Sequence, residues 1–142
     1  MKISARNQFS GVVTALEKGA VNDEVELTLK TGIKMVAVVT RESSDSLGLR
    51  EGAKVFALIK ASSVILASDL GGVRLSARNQ FRGTVRSVTA GAVNAEVELG
   101  IEGGDSIVAI VTNASVESLG LAPGAEAIAI VKASSVILGT VA

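Results

Sequence analysis

Four residues of the first 62 could hold an anion: Ser4, Arg6, Lys60 and Ser62. Arginine offers a planar fork of N–H groups, lysine a compact charge, and serine hydroxyls further donors. No acid lies beside them in the sequence, so the set is donor-only and suits a small tetrahedral oxyanion. The same four residue types return as Ser76, Arg78, Lys132 and Ser134, each 72 residues further on. Taken singly, such residues are solvated strand-end charges; the repetition of the whole pattern argues for a site. The Ser/Arg and Lys/Ser segments are expected at opposite ends of one barrel. Meeting within a subunit and meeting between neighbours are both left open.

The repetition runs through the chain. Ser4-Ala5-Arg6-Asn7-Gln8-Phe9 recurs at 76–81, Gly19-Ala20-Val21-Asn22 at 91–94, and Lys60-Ala61-Ser62-Ser63-Val64-Ile65-Leu66 at 132–138. The offset never changes, and about half of the aligned positions are identical. This is a duplication, and two copies are too few for a solenoid, so two linked units are expected. The units run 1–70 and 71–142. Residues 71–73 are the linker proper, inside a turn-forming stretch from Ser68 to Val73. So short a connection implies that the halves pack together or share neighbours.

Each unit reads as β structure. Val, Ile, Leu and Ala supply most of a 48% hydrophobic content, and only Phe9, Phe56 and Phe81 carry rings. Residues 9–16 predict a strand, with Gly11 marking a bulge or bend. Glu24 to Leu29 alternates strictly, which aims Val25, Leu27 and Leu29 at a core. Thr31-Gly32 is a turn, matched by Gly103-Gly104. Met35 to Val39 is a third strand. Thr40 caps a short helix over 43–47 that Gly48 ends. Residues 55–59 and 64–66 complete five strands. The fold class is all-β: two tandem OB-like five-stranded barrels, each with one short helix between the third and fourth strands.

Two other segments carry polar chemistry. Gly19-Ala20-Val21-Asn22 could cradle an anion with backbone N–H groups and the Asn22 amide. On its chemistry alone it reads as a turn into the second strand. Asp23-Glu24-Glu26 could suggest a divalent cation. Outward strand positions and the change of Asp23 to Ala95 in the second unit favour solvated surface instead.

Composition removes whole classes of function. There is no His, Cys, Tyr or Trp. Histidine- or cysteine-based nucleophilic catalysis and the common zinc sites therefore lack their residues, and no enzyme is expected. The 14 basic and 14 acidic residues cancel, and three aromatics give no stacking platform, so an OB-type nucleic-acid binder is the weaker alternative. No apolar run reaches the ~18–20 residues that span a bilayer. A soluble cytoplasmic protein is expected, with no membrane partner.

The three repeated blocks, in this order and spacing, resemble the molybdate-binding Mop domain, and their tandem arrangement resembles the di-Mop molbindins. The resemblance covers both units without insertion. It implies OB-like barrels, trimeric homo-oligomers, and molybdate or tungstate bound as the oxyanion between subunits, with no organic cofactor and no metal held as a cation. It implies two kinds of site. One uses Ser4, Arg6, Lys60, Ala61 and Ser62, and equally Ser76, Arg78, Lys132, Ala133 and Ser134. The other, near the symmetry axis, uses Ala20, Val21 and Asn22, and Ala92, Val93 and Asn94, which turns the bend from a mere turn into a site. The implied role is intracellular storage, buffering or homeostasis. Mop units also serve as sensory modules that signal to a partner, and that alternative stays open. No helix-turn-helix stretch and no phosphate-loop motif accompanies the two units.

Overall fold

The computed structural model describes residues 1–141 of the chain. The first half contains β1 (Asn7–Lys18), β2 (Asn22–Leu29), β3 (Lys34–Thr40), α1 (Arg41–Leu47), β4 (Lys54–Ile59) and β5 (Ile65–Ala67). The second repeats them as β6 (Asn79–Ala90), β7 (Asn94–Ile101), β8 (Ser106–Thr112), α2 (Asn113–Leu119), β9 (Glu126–Val131) and β10 (Ile137–Gly139).

Alternation builds the sheets. In β2, Val25 and Leu27 are wholly buried, while Glu24 and Glu26, which alternate with them, are half-buried on the other face. Met35 and Ala37 of β3 and Val55, Ala57 and Ile59 of β4 close the same core. Fully burying one such side chain contributes about 1.5–3 kcal/mol.

Gly11 does not sit at a bulge. The register of β1 against β2 shifts between Val13 and Ala15, two residues further on. What Gly11 permits is close approach: a Cβ there would lie 2.6 Å from the Thr28 carbonyl oxygen. Gly83 meets the Gly100 carbonyl in the same way.

The helix has the expected cap and end but starts at Arg41, two residues before the expected 43. Thr40 accepts from the Ser43 N–H at 3.1 Å, and Gly48 ends α1 in the left-handed region at φ 65°.

The fifth strands are exchanged. The first sheet runs β10-β4-β1-β2-β3 and the second β5-β9-β6-β7-β8, so each half receives its last strand from the other. Leu66 pairs with Ala129 and Leu138 with Ala57, and both leucines are buried in the borrowed core. Ile65 and Ile137, one residue earlier, face outward. β10 also lies against β3, and β5 against β8, so each sheet curls nearly closed. One continuous hydrophobic cluster therefore runs through both halves.

Three side-chain connections reinforce the exchange. Asn7 is 2% exposed: its Nδ2 donates to the Val108 carbonyl at 2.8 Å and its Oδ1 accepts from the Val108 N–H at 2.7 Å. Asn79 does the same to Val36, at 2.7 and 2.8 Å. Each amide thus acts as one residue of an added strand on the open edge of the opposite sheet. Thr31 Oγ1 donates to Asp105 Oδ2 at 2.8 Å where the two hairpin turns meet.

A candidate oxyanion cleft and its counter-ions

β1 begins where β4 ends: Asn7 pairs with Ile59. The Ser4–Arg6 segment therefore lies directly beside Lys60–Ser62, and the two segments are neighbours rather than at opposite ends of the barrel. Ala61–Ser63 is a single 3-10 turn, closed by the Ser63 N–H on the Lys60 carbonyl at 2.9 Å. Ala61 is buried and anchors the turn, which leaves Lys60 and Ser62 exposed on either side of it.

These pieces line one cleft of about 360 Å³. Ser4, Arg6, Lys60 and Ser62 supply its polar groups, and Ala5 and Ala61 lie between them. Ile3, Leu58, Ile110 and Ile137 supply an apolar wall, so β8 and β10 of the second half contribute to it. The turn also packs on β8, whose Val108 is gripped by Asn7. The asparagine of the Ser-Ala-Arg-Asn block thus works on the scaffold, holding Arg6 against the opposite half.

The second set has the same framework. Asn79 grips β3, and the turn Ala133–Ser135 packs on that strand with Ala133 buried. Ser76, Arg78, Lys132 and Ser134 are exposed there. Arg78 also borders a cavity of about 520 Å³ with Lys34, Gln80, Arg82 and Glu102.

The expectation of a site without acids fails at both arginines. Arg6 Nη1 and Nη2 donate to Glu96 Oε2 and Oε1 at 2.7 and 2.5 Å, a fork-to-fork pair. Arg78 Nη1 pairs likewise with Glu24. Glu24 and Glu96 are equivalent positions 72 residues apart, and Glu24 was expected on solvated strand surface. They are 31% and 35% exposed at the side chain, because each faces the arginine of the other half.

The bend residues sit elsewhere. Ala20, Val21, Asn22, Ala92, Val93 and Asn94 are all exposed, with Val21 at 73% and Val93 at 70%. Ala20 and Val21 border a shallow depression with Thr40, Arg41 and Glu42, apart from the Arg6 cleft.

Asp23 stands behind the first bend, and it is fully buried rather than solvated. The Gly19 N–H donates to its Oδ1 at 3.1 Å, and Arg41 Nη1 donates to the Gly19 carbonyl at 2.8 Å. Burial pushes the Asp23 pKa up. The Ser44 hydroxyl, the Gly19 N–H and the charges of Arg41 and Lys18 outweigh burial and hold the carboxyl below its ordinary 3.8. The second bend has Ala95 instead and is held by Asn113, which donates to the Gly91 carbonyl at 2.9 Å. Among the described residues, no group of three or more His, Cys, Asp or Glu could hold a metal ion.

The TOBE domain model matches residues 3–66 and again 75–138. The chain belongs to the TOBE-domain family. This tandem TOBE chain is 47% identical over 138 residues to the molybdenum transport protein ModE of Azotobacter vinelandii, covering 97% of the chain and 51% of that protein. It is equally 47% identical over 138 residues to the molybdenum-pterin-binding protein MopA of Rhodobacter capsulatus, 52% of which is covered. The chain therefore spans about half the length of these curated relatives. A crystal structure of the cytoplasmic molybdate-binding protein ModG with molybdate bound superposes with a TM-score of 0.97. That match has 55% identity and covers 99% of this chain and 100% of that one. The OB-like tandem fold thus matches a solved architecture over almost the whole chain. Among the described residues, no helix is long and apolar enough to cross a membrane.

Proposed function

We propose that this chain binds molybdate, and tungstate as its congener, as a cytoplasmic storage or buffering protein rather than as an enzyme. The observation that carries the reading is the cleft joining Ser4, Arg6, Lys60 and Ser62, in a chain that matches a molybdate-bound structure end to end. Molybdate is a dianion at neutral pH and brings only acceptor oxygens. Hydroxyls, an ammonium and a guanidinium are the complement it needs, since a dianion leaves water only for several charge-assisted bonds.

The cleft has room beyond one tetrahedral anion, and its rim is apolar: Ile3, Ile110 and Ile137 are 45%, 38% and 57% exposed. A second copy of the chain seated on this rim would close the cleft and exclude water. The exposed Val21 and Val93 would likewise be covered where bends from several copies gather, which fits a homotrimer with axial sites at Ala20–Asn22 and Ala92–Asn94. Binding between subunits would couple occupancy to assembly by mass action. Native mass spectrometry of the chain with and without molybdate tests this: trimers carrying several ions are expected, and a monomer carrying none refutes it.

A second reading keeps the ligand and changes the role. A relative from Yersinia pestis is described as a transcriptional regulator, and this chain covers 53% of it at 35% identity. A partner that binds only the molybdate-loaded chain would favour sensing over storage. Nucleic-acid binding finds less support, since no net charge draws the chain to a phosphate backbone.

A further inference from the structure

We infer that Glu96 and Glu24 are internal counter-ions, each holding the arginine of one donor set, Arg6 or Arg78, until an incoming oxyanion takes it. The inference rests on the oxyanion reading of the cleft and names what that site must displace. Both terminal nitrogens of Arg6 are engaged by the two oxygens of one carboxylate. That is the fork a tetrahedral oxyanion would itself engage. Arg6 lines the cleft with Ser4, Lys60 and Ser62, whereas Glu96 lies outside that lining and pairs with Arg6 from β7 of the other half.

The pair is built for exchange rather than permanence. The Arg6 and Glu96 side chains are 50% and 35% exposed, and Arg78 and Glu24 are 56% and 31% exposed. Ion pairs this open to water hold weakly. Breaking the pair does not separate the halves, because Asn7 next to Arg6 keeps its two bonds to Val108. Glu24 pairs with Arg78 through a single nitrogen, from the position equivalent to Glu96, and both pairs cross between the halves.

Such a counter-ion raises the affinity an anion needs in order to stay bound. A tethered carboxylate competes with every anion at a fixed high effective concentration. Every anion is set back by the same factor, so one that gains only the arginine binds least. A dianion that gains Lys60 and the serine hydroxyls in addition wins the exchange. The glutamates therefore set a threshold for entry and lower the affinity for every anion.

The test is calorimetric titration of the full chain with molybdate, comparing wild type with the double variants Glu24→Gln/Glu96→Gln and Glu24→Asp/Glu96→Asp. Exchange predicts that both variants bind molybdate tighter by about fivefold, the size expected from removing a half-exposed ion pair. The aspartate pair separates contact from field, because it keeps the charge but is one methylene too short to reach. It also keeps the test decisive if the glutamine variant does not fold. Affinity equal to or weaker than wild type in the folded variants would show that the glutamates brace the arginines, and would overturn the exchange. A wild-type chain that takes up no molybdate would overturn the oxyanion reading itself, an outcome seen in the wild-type titration alone.

Discussion

Asn7 and Val108 are joined like neighbours in a β ladder although 101 residues separate them. The Asn7 amide donates to the Val108 carbonyl and accepts from its N–H, and Asn79 repeats this on Val36. These contacts and the exchanged fifth strands make the two halves one folding unit. Loss of either clamp should be felt by the whole chain.

Asn7→Ala removes both bonds and leaves the Val108 N–H and C=O short of a partner. The expected loss is about 2 kcal/mol, and Asn79→Ala should cost a similar amount. Urea unfolding checks it: the midpoint should fall with an unchanged slope in a single transition. Two separate transitions would contradict a single unit.

Asp23 gives the protein an acid-sensitive element. Its folded pKa lies below the ordinary 3.8, so its stabilisation is complete above about pH 4 and is lost as pH falls through the lowered value. Asp23→Asn should lower the thermal midpoint at neutral pH. The gap to wild type should then narrow on acidification below about pH 4. A gap constant across that range would show that the carboxylate charge does not matter there. The second bend, with Ala95, has no equivalent acid and should not respond.

Strand alternation made much of the fold legible. Val25, Leu27 and Leu29 announced β2 because a half-buried strand must alternate, and Thr40 and Gly48 announced α1 because helix ends obey local rules. The strand exchange was not legible, for a specific reason. Val64-Ile65-Leu66 and Val136-Ile137-Leu138 are identical, so either segment satisfies either barrel and only the path of the linker decides.

The donor half of the cleft was legible because donors recur in blocks. Its acidic half was not, because Glu24 and Glu96 occupy outward strand positions that look solvated until the other half is placed against them. Asp23 misled for a related reason: its polar partners, Gly19, Ser44 and Arg41, come from the bend and from α1, which meet it only in the folded chain.

Removing the arginines separates the two proposed kinds of site. Arg6→Ala with Arg78→Ala should weaken oxyanion binding in the clefts by tenfold or more, at ~1.4 kcal/mol per factor of ten. Binding at the Asn22 and Asn94 bends should persist, since the bends lie apart from the Arg6 cleft. Calorimetry that resolves two classes of site checks this. Loss of both classes with the oligomer intact would contradict the assignment.

The most direct test of the whole account is calorimetry of the ligand-free chain with molybdate, tungstate, sulfate and phosphate, alongside native mass spectrometry. The account predicts several molybdate or tungstate ions per oligomer and weaker binding of sulfate and phosphate. No uptake of molybdate, or an equal preference for sulfate, would contradict it.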